Sequence, residues 1–186
     1  MITCRPAKAS DAKAIAPIML LAMEDIIYYF IDNFDKEEAT SLLTHFASLP
    51  NNQYSYQHII VAEEEGQILG QLCLYPGGQL EALRKPIFDY IKEKYNRVLP
   101  LENETQEGEI YIDTIAVLPE AQGKGIGKKL LQYAIETFVE QQGETLGLLV
   151  DKENPSAKKL YLNMGFAVIK QVDIFGKEMD HLQYLP

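Results

Sequence analysis

Ile115-Ala116-Val117-Leu118-Pro119-Glu120-Ala121-Gln122-Gly123-Lys124-Gly125-Ile126-Gly127 is the stretch that decides the reading of this chain. It runs from a strand-like apolar segment, through a proline turn, into three closely spaced glycines and then a helix. Glycines at this spacing let backbone amides converge on a phosphate with no Cβ in the way. The helix that follows adds its N-terminal partial positive charge. Lys124, Lys128 and Lys129 put mobile positive charge beside such an anion, although a solvated helix face would carry the same lysines. Two common phosphate loops do not fit. A P-loop needs a Lys-Ser/Thr ending, and Gly123 to Lys129 ends in Lys-Lys. A dinucleotide fingerprint needs a third glycine three positions after Gly125, where Lys128 stands.

Upstream of the loop, Glu109 to Val117 is the most strand-like piece of the chain. Downstream, Leu130, Leu131, Ala134, Ile135 and Phe138 mark one face of an amphipathic helix that Gly143 closes. A strand is expected at Thr145 to Val150. Asn154-Pro155 supplies an N-cap and an N1 proline to a short helix ending at Gly165, and strands follow at about Phe166 to Val172 and Met179 to Tyr184. Toward the N-terminus, Ile2 to Arg5 reads as a strand. A long helix from Ser10-Asp11 to about Tyr29 follows, with Pro17 placed to kink or divide it, and a second helix covers about Asp35 to Leu49. His58 to Ala62 and Gln67 to Tyr75 form a hairpin around Glu64-Glu65-Gly66. Pro76-Gly77-Gly78 then breaks the pattern, a helix is expected over Leu80 to Tyr95, and Glu102 to Gly108 reads as an exposed loop. Residues 1–186 are one α/β domain with a mixed sheet, and 77–108 is a helical insertion within it.

The chain has 186 residues, enough for one globular core, and 47% of them are hydrophobic, which excludes disordered and disulfide-scaffold classes. Seventeen basic against 27 acidic residues leave a formal charge of −10, which argues against nucleic-acid binding and permits a cationic substrate. Cys4 and Cys73 have no metal or redox spacing. The apolar run Ala14 to Met23 falls short of a membrane span, and no targeting segment precedes it. The expectation is a soluble, cytoplasmic protein with neither nucleic acid nor membrane as partner, and a homodimer is left open.

The Gln122-Gly123-Lys124-Gly125-Ile126-Gly127 run resembles the Gln/Arg-x-x-Gly-x-Gly/Ala loop of the GNAT superfamily of acyl-CoA-dependent N-acyltransferases. Asn154 to Tyr161, followed by Gly165-Phe166, is similar to that family's second conserved block. The resemblance implies a mixed, mostly antiparallel central sheet with flanking helices, and the insertion would precede the cofactor-binding strand. It implies an acetyltransferase that uses acetyl-CoA as cosubstrate and no metal, with a small-molecule or peptide amine as acceptor attacking directly in a ternary complex. Two splayed parallel strands, Glu109–Val117 and Thr145–Val150, would admit the pantetheine arm. Backbone groups along Ile115, Ala116 and Val117 would meet that arm, and the amides of Gln122, Gly123, Lys124, Gly125, Ile126, Gly127 and Lys128 would hold the pyrophosphate. Asn154, with Ser156 nearby, would touch the arm, and Tyr161 would protonate the departing thiolate.

Tyr161 is chemically suited to that role because a phenol with a pKa of ~10 is protonated at neutral pH. Helical spacing also places it with Ala157, Leu160 and Met164, so a core tyrosine is the plain alternative. For the base, period-two alternation puts Glu109, Tyr111, Asp113, Ile115 and Val117 on one face of the strand, and Asp113 is the carboxylate nearest the reaction centre. Its alternative is a structural aspartate, with water as the base. Family members often carry a glutamate near the position that is Tyr111 here. His45, His58 and His181 have neither nucleophile nor metal spacing and read as structural. A CoA-binding sensor without turnover would keep the same loop.

Overall fold

The computed structural model describes residues 1–100 and 102–186. Seven strands form one sheet in the order β1-β2-β3-β4-β5-β7-β6. Their ranges are β1 Thr3–Pro6, β2 Ile59–Glu64, β3 Gln67–Pro76, β4 Ile110–Val117, β5 Leu146–Asp151, β6 Ala167–Ile174 and β7 Lys177–Tyr184. Every neighbouring pair is antiparallel except β4 with β5, as the mixed, mostly antiparallel sheet requires.

Five helices cover the two faces. On one, α1 (Ala12–Ile31), α2 (Lys36–Ser48) and α3 (Leu80–Tyr95) bury Ile15, Met19, Ile27, Leu43, Ile87 and Ile91. On the other, α4 (Ile126–Ala134) and α5 (Pro155–Asn163) close over Leu72, Ile112, Leu148 and Leu182. Asp35 caps α2 by accepting from the amides of Glu37 and Glu38, and Asn96 ends α3 in a left-handed conformation. The insertion is therefore part of the core, because α3 turns Leu80, Leu83, Ile87 and Ile91 inward.

Two local expectations are corrected. Pro17 stays within a continuous helical path, and the break in α1 lies at Met23, whose φ of −143° and ψ of 29° are not helical. The apolar helical region is also longer than the run read from sequence. Ala9–Ile31 is long and apolar enough to cross a membrane, yet its Ile15, Met19, Ile27 and Phe30 are packed in the core.

One contact pins the sheet where β4 and β5 meet. Glu109, just before β4, reaches under β5 to His181 Nε2 (2.8 Å) and accepts from Gln183 Nε2 (2.7 Å) on β7. It can do so only because residue 147 has no side chain, since a Cβ there would overlap the Glu109 carboxylate. Gly147→Ala is expected to displace a buried, hydrogen-bonded carboxylate and to cost about 2 kcal/mol, lowering Tm by about 4–8 °C. An unchanged melting curve would mean that the cluster can rearrange freely.

Candidate active site

β3 pairs with β4 along its length, whereas β5 meets β4 only at Ile110↔Leu146 and Tyr111↔Gly147. Beyond Tyr111 the two parallel strands diverge, and the β5-side edge of β4 has no strand partner. The register with β3 runs Leu74↔Ile112 and then Cys73↔Thr114, so Asp113 is an extra residue, a β-bulge. The bulge reverses the alternation of the strand. The amide of Ile110 donates toward β5, to Thr145 O at 2.8 Å, while that of Leu118 donates toward β3, to Leu69 O at 2.9 Å. Counting back from Leu118, the backbone groups of Val117 and Ile115 face the open edge and those of Ala116 face β3.

The bulge also overturns the expectation of a single side-chain face. Tyr111 and Asp113 lie on the side of α1 and α3, whereas Ile115 and Val117 pack on the side of α4 and α5. Strict period-two counting cannot see an inserted residue.

The glycine loop sits at the far end of the open edge. Gly123 and Gly125 have φ of 78° and 75°, which favours glycine, and a Cβ at either would meet no atom within 4 Å. Gly125 is the N-cap of α4, and no side chain caps the helix there. The first-turn amides of α4 are thus left for an outside acceptor, and Lys124 and Lys128 stand exposed beside them. Gln122 Nε2 contacts Val117 O at 3.4 Å and folds the turn back onto the strand end. Ile126, Leu130, Leu131 and Ala134 anchor the helix in the core. An open concavity of amides, uncapped and flanked by lysines, fits the pyrophosphate of a coenzyme A.

On the other side of the divergence, Asn154 Oδ1 caps α5 by accepting from Ala157 N at 3.1 Å, and Ser156 is exposed in its first turn. Tyr161 is 8% exposed and lies edge-on to Phe166. Burial raises its phenol above the ordinary value, so it holds its proton at neutral pH. Lys158 Nζ contacts the buried Asp180 Oδ2 at 2.6 Å and ties α5 to β7.

Opposite α5, a cavity of about 640 Å³ opens across the divergence, with Tyr111, Asp113 and Thr114 of β4 and Leu149 of β5 in its wall. The broken segment of α1 around Met23 forms one side, and Phe175 in the β6–β7 turn forms another. Asp113 Oδ2 accepts from Gln53 Nε2 (2.8 Å) and from the Tyr75 hydroxyl (3.0 Å). Burial pushes its carboxyl above the ordinary range, while those two donors and Arg84 pull the other way. Glu104 is likewise raised by burial and by Asp113, and Arg84 pairs with it. Glu24, Asp25, Glu104 and Asp113 face only Arg84 and Lys177, so the cavity is acidic on balance. A roomier groove between α1 and α2, about 770 Å³ with Lys13 and His45 in its wall, is open and far from this chemistry.

The structure brings Asp113, the free edge at Ile115 and Val117, and the glycine loop onto one strand and its exit, with Tyr161 on the neighbouring α5. Sequence reading missed Gln53, Tyr75, Arg84 and Glu104, which come from separate elements and carry no spacing signal. Glu102 to Gly108, expected to be an exposed loop, instead buries most of Glu104 against Arg84. His58 and His45 remain structural, the latter stacked on Tyr90. His181 pairs with Glu109, a contact that no spacing along the chain signals.

Comparison with known proteins agrees with this architecture. The family model described as "Acetyltransferase (GNAT) family" matches residues 23–166. A crystal structure described as an acetyltransferase is 32% identical, covers 98% of both chains and superposes with a TM-score of 0.84. An N-acetyltransferase from Staphylococcus aureus Mu50, 24% identical over 98% of this chain and 100% of its own, shares the fold with a TM-score of 0.82. The uncharacterized N-acetyltransferase YhfO of Bacillus subtilis (strain 168) is 28% identical over 87% of each chain. A mycothiol acetyltransferase from Streptomyces griseus is 38% identical over 71 residues, where the match spans 38% of this chain but only 22% of that protein. The chain belongs to the GNAT acetyltransferase family and is an acyltransferase, in a family that uses acetyl-CoA as cosubstrate and acts on amines.

Proposed function

We propose that this enzyme transfers the acetyl group of acetyl-CoA to a primary amine bound in the Asp113 cavity, by direct attack in a ternary complex. The observation that carries the reading is the meeting of two features at one divergence: the free edge of β4 leads to the glycine loop, and the acidic cavity opens beside it. When bound, acetyl-CoA supplies an acetyl group as an activated thioester. The amides of the Gln122–Lys128 loop hold the pyrophosphate, and the backbone groups of Ile115 and Val117 hydrogen-bond the arm and polarise the acyl oxygen. Asn154 and Ser156 line the arm at the start of α5.

The acceptor enters as a cation, drawn by the excess of carboxylates. Asp113 takes the proton from the ammonium, with Gln53 and Tyr75 fixing the carboxylate in place. The freed amine attacks the acyl carbon and displaces the thiolate, which takes the phenolic proton of Tyr161. The second proton, shed by the new amide nitrogen, restores the Tyr161 hydroxyl, and the proton on Asp113 passes to solvent. The two groups work from opposite faces of the sheet.

Thiol release from acetyl-CoA against a panel of alkyl, aryl and peptide amines tests the reading. Turnover with cationic amines supports it, and CoA binding without turnover on any amine overturns it. The cofactor site has its own test. CoA is expected to raise the Tm of the wild type, and Gly125→Asp to abolish that rise, because a side chain at φ 75° and a negative charge would meet the pyrophosphate. A folded variant that still binds CoA would move the pyrophosphate elsewhere.

A further inference from the structure

The acceptor cavity changes character along its depth. Tyr54, Arg84, Tyr111 and Thr114 in its wall are buried, whereas three large apolar side chains of the same wall stay open to solvent: Leu21 (45% exposed), Tyr29 (43%) and Phe175 (41%). Leu21 and Tyr29 flank the break in α1 at Met23, and Phe175 stands across from α1 in the β6–β7 turn. Because one continuous cavity holds these three together with Asp113, a ligand bound at Asp113 extends toward them. At about 640 Å³ the cavity falls within the roughly 300–1,000 Å³ of sites for drug-sized ligands, far more than a short alkylamine fills. Of the charged groups at the mouth, Glu24 accepts from the Tyr28 hydroxyl (2.7 Å) and Lys177 pairs with Asp151 (2.9 Å), while Asp25 adds to the pull on a cation.

The second observation is the backbone at Phe175. Ile174 pairs with Lys177, which leaves Phe175 and Gly176 as a two-residue hairpin loop. Their φ values are 53° and 70°, the double positive φ of a type I′ turn, whose first position favours Asn, Asp or Gly. A bulky residue there is an outlier, because its Cβ crowds the backbone. Core packing does not account for it: the side chain is part exposed and pairs with no other ring among the described residues. Residues held in such conformations gather at binding sites and ligand clamps, and this one is in the wall of the acceptor cavity.

We propose that Phe175 is a specificity-determining residue which, with Leu21 and Tyr29, receives the ring-bearing apolar body of the acceptor while its amine lies beside Asp113. This rests on the acyl-transfer reading above and adds the acceptor class to it, a primary amine carried on an aromatic body. The acidic interior takes the ammonium, and the apolar mouth covers the rest of the molecule.

Initial rates with phenylalkylamines of increasing methylene count, each against the n-alkylamine of the same methylene count, test the proposal. At the best length the wild type is expected to favour the aromatic amine in kcat/KM by about tenfold, the worth of one aromatic contact, with the gain mainly in KM. Phe175→Asn removes the ring and supplies a residue that the turn favours, so the variant is expected to fold. In it the preference should shrink to within about twofold. A merely structural role would lower both rates alike and leave their ratio where it was. Equal kcat/KM for the two amines at every length in the wild type overturns the subsite while leaving acetyl transfer standing, as does a preference that Phe175→Asn keeps. If no amine of either kind is acetylated, the acyl-transfer reading fails, and calorimetry of the same amines with CoA-saturated protein reads the subsite on its own. Tighter binding of the aromatic amine that Phe175→Asn abolishes upholds it, and equal binding of the two kinds overturns it.

Discussion

Asp113→Asn is expected to lower kcat/KM for the acceptor by about 10²-fold or more, with little change in the affinity for CoA. The amide cannot take a proton from the acceptor, but its oxygen can still receive the hydrogen bonds of Gln53 and Tyr75. The wild-type profile of kcat/KM should rise with pH as Asp113 ionises, at a pH above the ordinary carboxylate range because burial raises it, and the variant should lack that limb. Stability is expected to move the opposite way. A carboxyl raised in the folded state favours folding most at low pH, where it is protonated, and loses that contribution as pH rises through its folded value. Above its folded value the wild type carries a buried carboxylate, so the variant should there melt at the same or a higher temperature, and the gap should close toward acid pH. A variant that keeps its activity and its acid limb would leave Asp113 a structural residue. Loss of activity with a lower Tm at pH 7 would mean that the carboxylate is needed for folding.

The second large effect is expected from Tyr161→Phe, which should reduce kcat by about 10²-fold while raising the KM for acetyl-CoA far less. The ring stays packed on Phe166, so only the hydroxyl is lost. Burial is the one influence raising this phenol, and no charged partner shares in it, so the role asked of it is simple: to arrive protonated and give the proton up. Thiol leaving groups of lower pKa need that proton less. The defect should therefore narrow with an acyl donor bearing a more acidic thiol. An unchanged kcat with acetyl-CoA would return Tyr161 to a packing role, provided a pre-steady-state burst does not show slow product release.

Local chemistry in this chain was readable where the backbone itself does the work. Gly123 and Gly125 announce their left-handed turn, Asn154-Pro155 announces the start of α5, and the helix in the insertion falls at Leu80–Tyr95 in both sequence and structure. The acceptor side was much less legible. Gln53 comes from the turns after α2, Tyr75 from β3, Arg84 from α3 and Glu104 from the loop beyond it. Only tertiary packing gathers them around Asp113. The bulge at Asp113 was invisible for a different reason: its one added residue has no sequence mark, and every later residue of β4 changes side because of it. Met23 is similar, since a helix break without proline or glycine leaves no trace in the periodicity.

That single inserted residue in β4 has an evolutionary corollary. In the proposed reaction Tyr111, ahead of the bulge, and Asp113, at it, face the acceptor cavity, while beyond it the backbone of Ile115 and Val117 would serve the cosubstrate through atoms that every amino acid possesses. Mutations at Tyr111 can thus be sampled for new acceptors without touching the part of the strand that any acetyl-CoA enzyme must keep. A library randomised there, with Asp113 held fixed, should yield many clones that retain CoA affinity while their amine preferences diverge. Deleting one residue at the bulge would couple the two halves again, and such clones should lose both properties together.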